Sequence, residues 1–203
     1  LMRDLPANKL VMMVQLPILL VMVLLPGELL SIFGESFTGG ATALIILAVA
    51  DLLNTATGMG GIIIDMTGYT RLKLVNSIVR LALYIIFDLL FIPKWGLVGA
   101  ALAVLTGEGV INLLRMLQVY VIFRMLPYNL TFFKPLAASL AALAAVLGLR
   151  ALFPAESSLL YAAVQAVVLA LVYLGASLLM GFSTEEWSMM KNLAGYLQRK
   201  KVR

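Results

Sequence analysis

Long apolar segments occupy most of this chain, and only short polar stretches separate them. Hydrophobic residues make up 63% of the 203 residues, and the mean hydropathy is +1.04. Ordinary soluble domains contain about 45–50% apolar residues. This composition leaves too little polar surface to cover a water-soluble globule of this size. We therefore expect the lipid bilayer to be the solvent of the chain.

The apolar segments predict six membrane-spanning helices, because a helix needs about 20 mostly apolar residues to cross the hydrocarbon. Pro17 and Pro26 should kink the first helix or shape its end, since each removes one helical hydrogen bond. The fold class is therefore all-α, a polytopic membrane helical bundle. The predicted spans are 9–33, 41–66, 74–92, 97–123, 133–153 and 159–182.

A different kind of helix is predicted after the last span. Ser183 and Glu186 have the spacing of a capping box, which marks a helix start. Apolar residues then recur every three or four positions, and a basic cluster follows, which is typical of an amphipathic helix on a membrane surface. The chain thus divides into residues 1–123 with four spans, residues 124–182 with two further spans, and an amphipathic tail at 183–203.

The distribution of lysine and arginine predicts how the bundle is oriented. Most of the 15 basic residues fall in the N-terminal flank, in the loops after the second and fourth spans, and in the tail. The opposite side carries only Lys94 and Arg150. By the positive-inside rule, both ends of the chain should be cytoplasmic. The net charge of +5 is better explained by this topology than by a nucleic-acid partner.

Several chemistries are excluded by composition. The chain has no cysteine and no histidine, so it has no disulfides, thiolate metal ligands or imidazole catalysis. The longest predicted loops, of about ten residues, are too short to house a typical active site. We therefore expect no cofactor and no enzymatic activity. A membrane glycosyltransferase or acyltransferase is the alternative from another functional class.

Three charged residues, Asp51, Arg80 and Glu108, lie near the middle of predicted spans. A charge at that depth costs about 2.5–3.5 kcal/mol on insertion scales, so it usually faces a partner or a water-filled cavity. Polar residues at helical spacing extend each charge into a stripe along one helix face. These residues are Asn54, Thr55, Gly58 and Asp65 with Asp51, Asn76 and Tyr84 with Arg80, and Asn112 and Arg115 with Glu108.

The three charges should lie at one depth, about 15–18 Å from the end of each span, at about 1.5 Å per residue. Arg80 could then bridge both carboxylates with its forked donors. One hypothesis is a transport or ion-coupling site. The other is a buried ion network that only locks spans two to four together, and the sequence leaves both open. The candidate residues are Asp51, Asn54, Arg80, Glu108 and Asn112.

Three short motifs follow one another along the chain. They are FGE at 33–35, TGYTR at 67–71 and FIPKWGLVGAALA at 91–103, with Glu108 following in the same span. In this order they resemble the C-terminal half of the polysaccharide biosynthesis flippases. That family belongs to the superfamily of multidrug exporters and oligosaccharidyl-lipid flippases.

The resemblance implies a fourteen-helix protein of which this chain would be helices nine to fourteen, with an N-terminal lobe earlier in the same polypeptide. Such proteins move a lipid-linked oligosaccharide across the cytoplasmic membrane by alternating access. The superfamily is commonly driven by protons, sodium ions or membrane potential. A cation-coupled multidrug exporter of the same superfamily is the nearest alternative, although the two helices after the fourth span favour a flippase. The expected partners are a lipid-linked glycan and membrane lipids.

Overall fold

The computed structural model describes residues 6–57, 64, 68–124, 133–153 and 159–179, and every regular element among them is helical. The predicted all-α fold is therefore confirmed over this part of the chain. The predicted amphipathic tail at 183–203 lies outside the described residues. The helices are α1 (Pro6–Leu24), α2 (Pro26–Ser31), a 3₁₀ helix (Glu35–Gly40), α3 (Ala41–Thr57), α4 (Thr70–Phe123), α5 (Phe133–Leu152) and α6 (Leu159–Leu179).

Four helical stretches are long and apolar enough to cross a membrane, and a shorter apolar helix runs from Val11 to Leu24. Large apolar side chains point outward from these helices, among them Leu89, Leu113 and Leu171. A helical bundle with an apolar outer surface is suited to lipid, so the chain is a membrane-spanning protein. The count of six spans stays a prediction. The four stretches are Glu35–Thr57, Thr70–Ile122, Pro135–Leu152 and Leu159–Leu179.

Helix α4 is a hairpin of two antiparallel arms, which we call the first arm (residues 70–95) and the second arm (residues 97–123). As one straight helix its 54 residues would be about 80 Å long, far more than a bilayer is thick. The backbone leaves helical geometry at Gly96, where φ is 54° and ψ is −125°. Asn76 on the first arm donates a side-chain hydrogen bond to Gln118 on the second arm. The arms therefore correspond to the predicted third and fourth spans.

The turn of this hairpin requires glycine at two positions. The positive φ of Gly96 is a conformation that side chains other than glycine rarely adopt. At Gly99, a Cβ atom would overlap the backbone carbonyl of Phe91 on the first arm. The connection between the predicted spans 74–92 and 97–123 is therefore tight because the backbones of the two arms approach closely here.

The first predicted span, 9–33, is wrong as a single helix. Pro17 lies inside α1 without ending it, whereas Leu25 adopts a non-helical φ of −129° and Pro26 begins α2. Proline fits the first position of a helix because its missing N–H has no partner there in any case. The short segment between the first two predicted spans contains a 3₁₀ helix, Glu35–Gly40.

Helix α1 lies between two groups of helices. On one side it packs against α5 and α6 through a buried apolar core. On the other side it packs against α3, which in turn packs against the α4 hairpin. The core residues are Leu16 and Leu20 of α1, Ala138, Ala142 and Val146 of α5, and Leu169 and Tyr173 of α6. The small alanines of α5 allow the helices to approach closely.

Candidate functional site

The centre of the α4 hairpin holds a polar cluster between the two arms. Arg80 on the first arm forms an ion pair with Glu108 on the second arm. Tyr84, one turn after Arg80, donates its hydroxyl hydrogen to the same carboxylate oxygen, Oε1. The Glu108 side chain is only 5% exposed, whereas the Arg80 side chain is 35% exposed. A carboxylate at this depth is stabilised by charge-assisted donors that replace water.

Helical periodicity brings these groups together. Asn76, Arg80 and Tyr84 follow each other at four-residue spacing, so they share one face of the first arm. Arg80 and Tyr84 both bond to Glu108, which shows that this face lies against the second arm. The sharp turn at Gly96 sets the register between the arms. The cluster is therefore a direct consequence of the polar stripes on the two arms.

Asn112 belongs to the same cluster. Its Nδ2 atom lies 3.4 Å from Oε2 of Glu108, one helical turn away on the second arm. Asn112 is 2% exposed, and its Oδ1 atom is buried without a hydrogen-bond partner. Among the described residues, this acceptor has no protein partner.

A second polar contact between the arms lies further from the turn. Asn76 and Gln118 exchange two amide hydrogen bonds, each 2.8 Å long. Asn76 is only 3% exposed. The reciprocal pair therefore supplies hydrogen-bond partners for two amides, which lipid tails could not provide. Gln118 was not identified from the sequence. Its place, two to three turns after Glu108 on the arm that carries the Asn112 stripe, is the signal that could have revealed it.

Asp51 does not take part in the Arg80 cluster, so the expectation that Arg80 bridges both carboxylates is not met. Its described partner is instead Gln15 of α1, whose Nε2 atom donates to Oδ2 at 2.6 Å. Asp51 is an exposed residue of α3, and Asn54 lies one turn further along and is half-buried. The helix α3 does pack against α4, but its polar stripe is turned towards α1 at this level. Asp65, at the end of the stripe, lies outside the described residues.

A third polar contact lies at the other end of the bundle and was missed by the sequence reasoning. Arg150, near the end of α5, donates from Nε and Nη2 to Oε1 of Gln165 on α6, at 3.0 and 2.8 Å. Nη2 also donates to the backbone carbonyl of Leu24 at 2.7 Å. Leu24 ends α1, where carbonyl groups lack helical partners and attract a cation. Arg150 was interpreted from the sequence only as a charge on the outer side of the membrane.

Within the described ranges, no three acidic residues lie close enough together to hold a metal ion. Comparison with protein-family models, with curated proteins and with solved structures finds no match to this chain. The function is therefore argued from the Glu108 cluster, from Asp51 and from the sequence motifs.

Proposed function

We propose that this chain is part of a transporter that moves lipid-linked oligosaccharide or polysaccharide repeat units across a membrane by alternating access. The proposal assigns transport rather than catalysis to the chain. It rests on one structural observation, the ionisable cluster around Glu108 inside an apolar helix hairpin. The sequence motifs at 33–35, 67–71 and 91–103 supply the class of cargo.

The Glu108 cluster supports transport because ionisable groups within membrane helices are costly and usually mark pathways for ions or cargo. Arg80 and Glu108 satisfy each other, but Asn112 Oδ1 remains buried without a partner. Asn112 therefore adds a further buried polar side chain beside the Glu108 carboxylate. Ionisable and polar groups gathered at this depth favour a site that meets an ion or cargo.

Asp51 supports the same proposal from a second position. It is exposed near the middle of an apolar helix, and one neutral amide, that of Gln15, is its described donor. A carboxylate facing acyl chains would be strongly disfavoured. An exposed Asp51 therefore fits a wall of a polar cavity, in which the head group of a lipid-linked glycan would travel while its lipid tail stays in the bilayer.

The remaining parts of the proposal follow from the resemblance. The cargo is a glycan on a lipid carrier, and a preceding N-terminal lobe of the same polypeptide supplies the opposite wall of the cavity. The protein lies in the cytoplasmic membrane with both ends of this chain on the cytoplasmic side. Transport is coupled to protons, sodium ions or the membrane potential.

The test uses the full natural polypeptide that carries this chain, reconstituted into liposomes with an undecaprenyl-diphosphate-linked oligosaccharide. An impermeant lectin reports the glycan that reaches the outer leaflet. We expect protein-dependent exposure of the glycan and no glycosyl or acyl transfer products. Ethidium transport without glycan translocation would instead assign the chain to the multidrug exporters. New covalent products would assign it to the membrane transferases.

A further inference from the structure

We infer that Tyr84 is a positioning residue that orients the Glu108 carboxylate, and that Gly107 leaves the space in which the Tyr84 ring packs. The inference rests on the proposed function, in which Glu108 takes part in transport. It is carried by the contacts of Tyr84 with three residues, Arg80, Gly107 and Glu108, and each contact constrains a different part of its side chain.

The hydroxyl group of Tyr84 links the two charged residues. It donates to Oε1 of Glu108 and accepts a hydrogen bond from Nε of Arg80 at 3.3 Å. Arg80 also donates from Nη2 to the same Oε1 atom. The guanidinium carbon of Arg80 lies 5.6 Å from the centroid of the Tyr84 ring, within the range of a cation–π contact. Tyr84 thus holds both members of the ion pair.

The ring of Tyr84 packs closely against the backbone at Gly107, which has no side chain to displace it. A Cβ atom at Gly107 would lie 2.5 and 2.6 Å from two carbon atoms of the ring, Cδ1 and Cε1. Real Cβ atoms do not approach other atoms so closely, so any other residue would push the ring away. Gly109, two positions later on the same arm, has no neighbouring atom within 4 Å of such a Cβ. The close fit is therefore specific to Gly107.

The two oxygens of the Glu108 carboxylate have different partners. Oε1 is held by Arg80 and Tyr84, whereas Oε2 faces Asn112 Nδ2 at the longer distance of 3.4 Å. The unsatisfied Oδ1 atom belongs to the same Asn112 amide. By holding Oε1, Tyr84 turns Oε2 towards the Asn112 amide. Its role is thus to set the direction of Glu108 rather than to contact cargo.

Two substitutions separate the ring from its hydroxyl. Tyr84→Phe removes the donor and keeps the ring, while Gly107→Ala keeps the donor and displaces the ring. We expect each to lower the maximal rate of glycan translocation about tenfold, the value of one charge-assisted hydrogen bond. The matched controls are Tyr120→Phe, at an exposed tyrosine of the second arm, and Gly109→Ala. Both controls should stay within about twofold of the wild type.

A second measurement shows whether Tyr84 acts through Glu108. In a Glu108→Gln background, Tyr84→Phe should cause no further loss, because the two effects are not additive when one residue works through the other. The infrared carboxylate band of Glu108, identified as the band lost in Glu108→Gln, should shift in Tyr84→Phe and Gly107→Ala. It should not shift in the two controls.

The infrared band requires no transport, so it separates this inference from the proposed function. If the wild-type protein moves no glycan but the band shifts as expected, the proposed cargo is wrong and the positioning role stands. If the band is unchanged in both Tyr84→Phe and Gly107→Ala, the positioning role is wrong. Losses that add fully in the Glu108→Gln background would also overturn it.

Discussion

Arg80 and Glu108 lie 28 residues apart in the chain, and their side chains form an ion pair between the two arms of the α4 hairpin. Together with the Asn76–Gln118 amide pair, this ion pair links the two arms through polar side chains. Removing one member leaves the other in a low-dielectric environment without its main partner. The pair therefore contributes to the stability of the hairpin whatever its part in transport.

We expect Arg80→Ala to destabilise the protein by about 3 kcal/mol, the lower end of the range for a buried pair that loses one member. The lower end applies because Arg80 is 35% exposed and can reach polar surroundings. The measurement is the free energy of unfolding in detergent micelles. Arg71→Ala, at an exposed position of the first arm, is the control and should change stability by less than about 0.5 kcal/mol. Equal effects of the two substitutions would contradict the structural importance of the pair.

We expect Gly99→Ala to destabilise the hairpin by about 1–3 kcal/mol, because its new methyl group would overlap the carbonyl of Phe91. Gly148→Ala is the matched control. Gly148 lies in α5 with no neighbouring atom within 4 Å of a Cβ, so alanine there should be neutral or stabilise by up to about 1 kcal/mol. Thermal unfolding followed by circular dichroism compares the two variants. The turn geometry would be wrong if Gly99→Ala were as well tolerated as Gly148→Ala.

The Asn76–Gln118 amide pair allows a double-mutant cycle. Asn76→Leu and Gln118→Leu should each cost about 1–3 kcal/mol, since the first leaves the half-buried Gln118 amide and the second the buried Asn76 amide without its partner. The double variant should recover most of that loss, because both polar groups are then replaced by apolar ones. Unfolding free energies of the four proteins give the coupling. If the single losses simply add, the two amides do not pair.

Arg150 should not be replaceable by lysine. Its guanidinium group donates at once to Gln165 and to the carbonyl of Leu24, and lysine lacks the planar fork that makes both contacts. We expect Arg150→Lys to lower stability by about 1–2 kcal/mol and to speed hydrogen exchange at the junction of α1 and α2. Arg71→Lys serves as the control and should alter neither. Unchanged exchange at the junction in Arg150→Lys would show that the contact to Leu24 contributes nothing.

Much of the fold could be predicted from the sequence, because a membrane-spanning helix must be apolar and long apolar segments can be identified directly. The two arms of α4 and the helices α5 and α6 agree with predicted spans to within a few residues. The break at Leu25 was placed only as a possible kink. Proline in a membrane helix can lie inside the helix or at its end, and Pro17 lies inside α1 whereas Pro26 begins α2.

The candidate site could be predicted only in part. Periodicity correctly placed Arg80, Glu108 and Asn112 on facing stripes, because a turn at Gly96 leaves little freedom in the register of the arms. The partner of Asp51 could not be predicted, since the rotation of α3 about its axis depends on packing between helices far apart in sequence. Arg150 was missed for a related reason. Its partners are a backbone carbonyl and an amide, and neither of them carries a charge pattern.

The most direct test of the account is the rate of glycan translocation by Glu108→Gln, measured alongside its free energy of unfolding. Glutamine keeps the size of the side chain but removes its charge and its ion pair with Arg80. We expect the variant to fold in the membrane with a loss of stability of about 1–3 kcal/mol and to lose at least tenfold in translocation rate. A folded Glu108→Gln protein that translocates glycan at the wild-type rate would contradict the account and leave the cluster with a structural role alone.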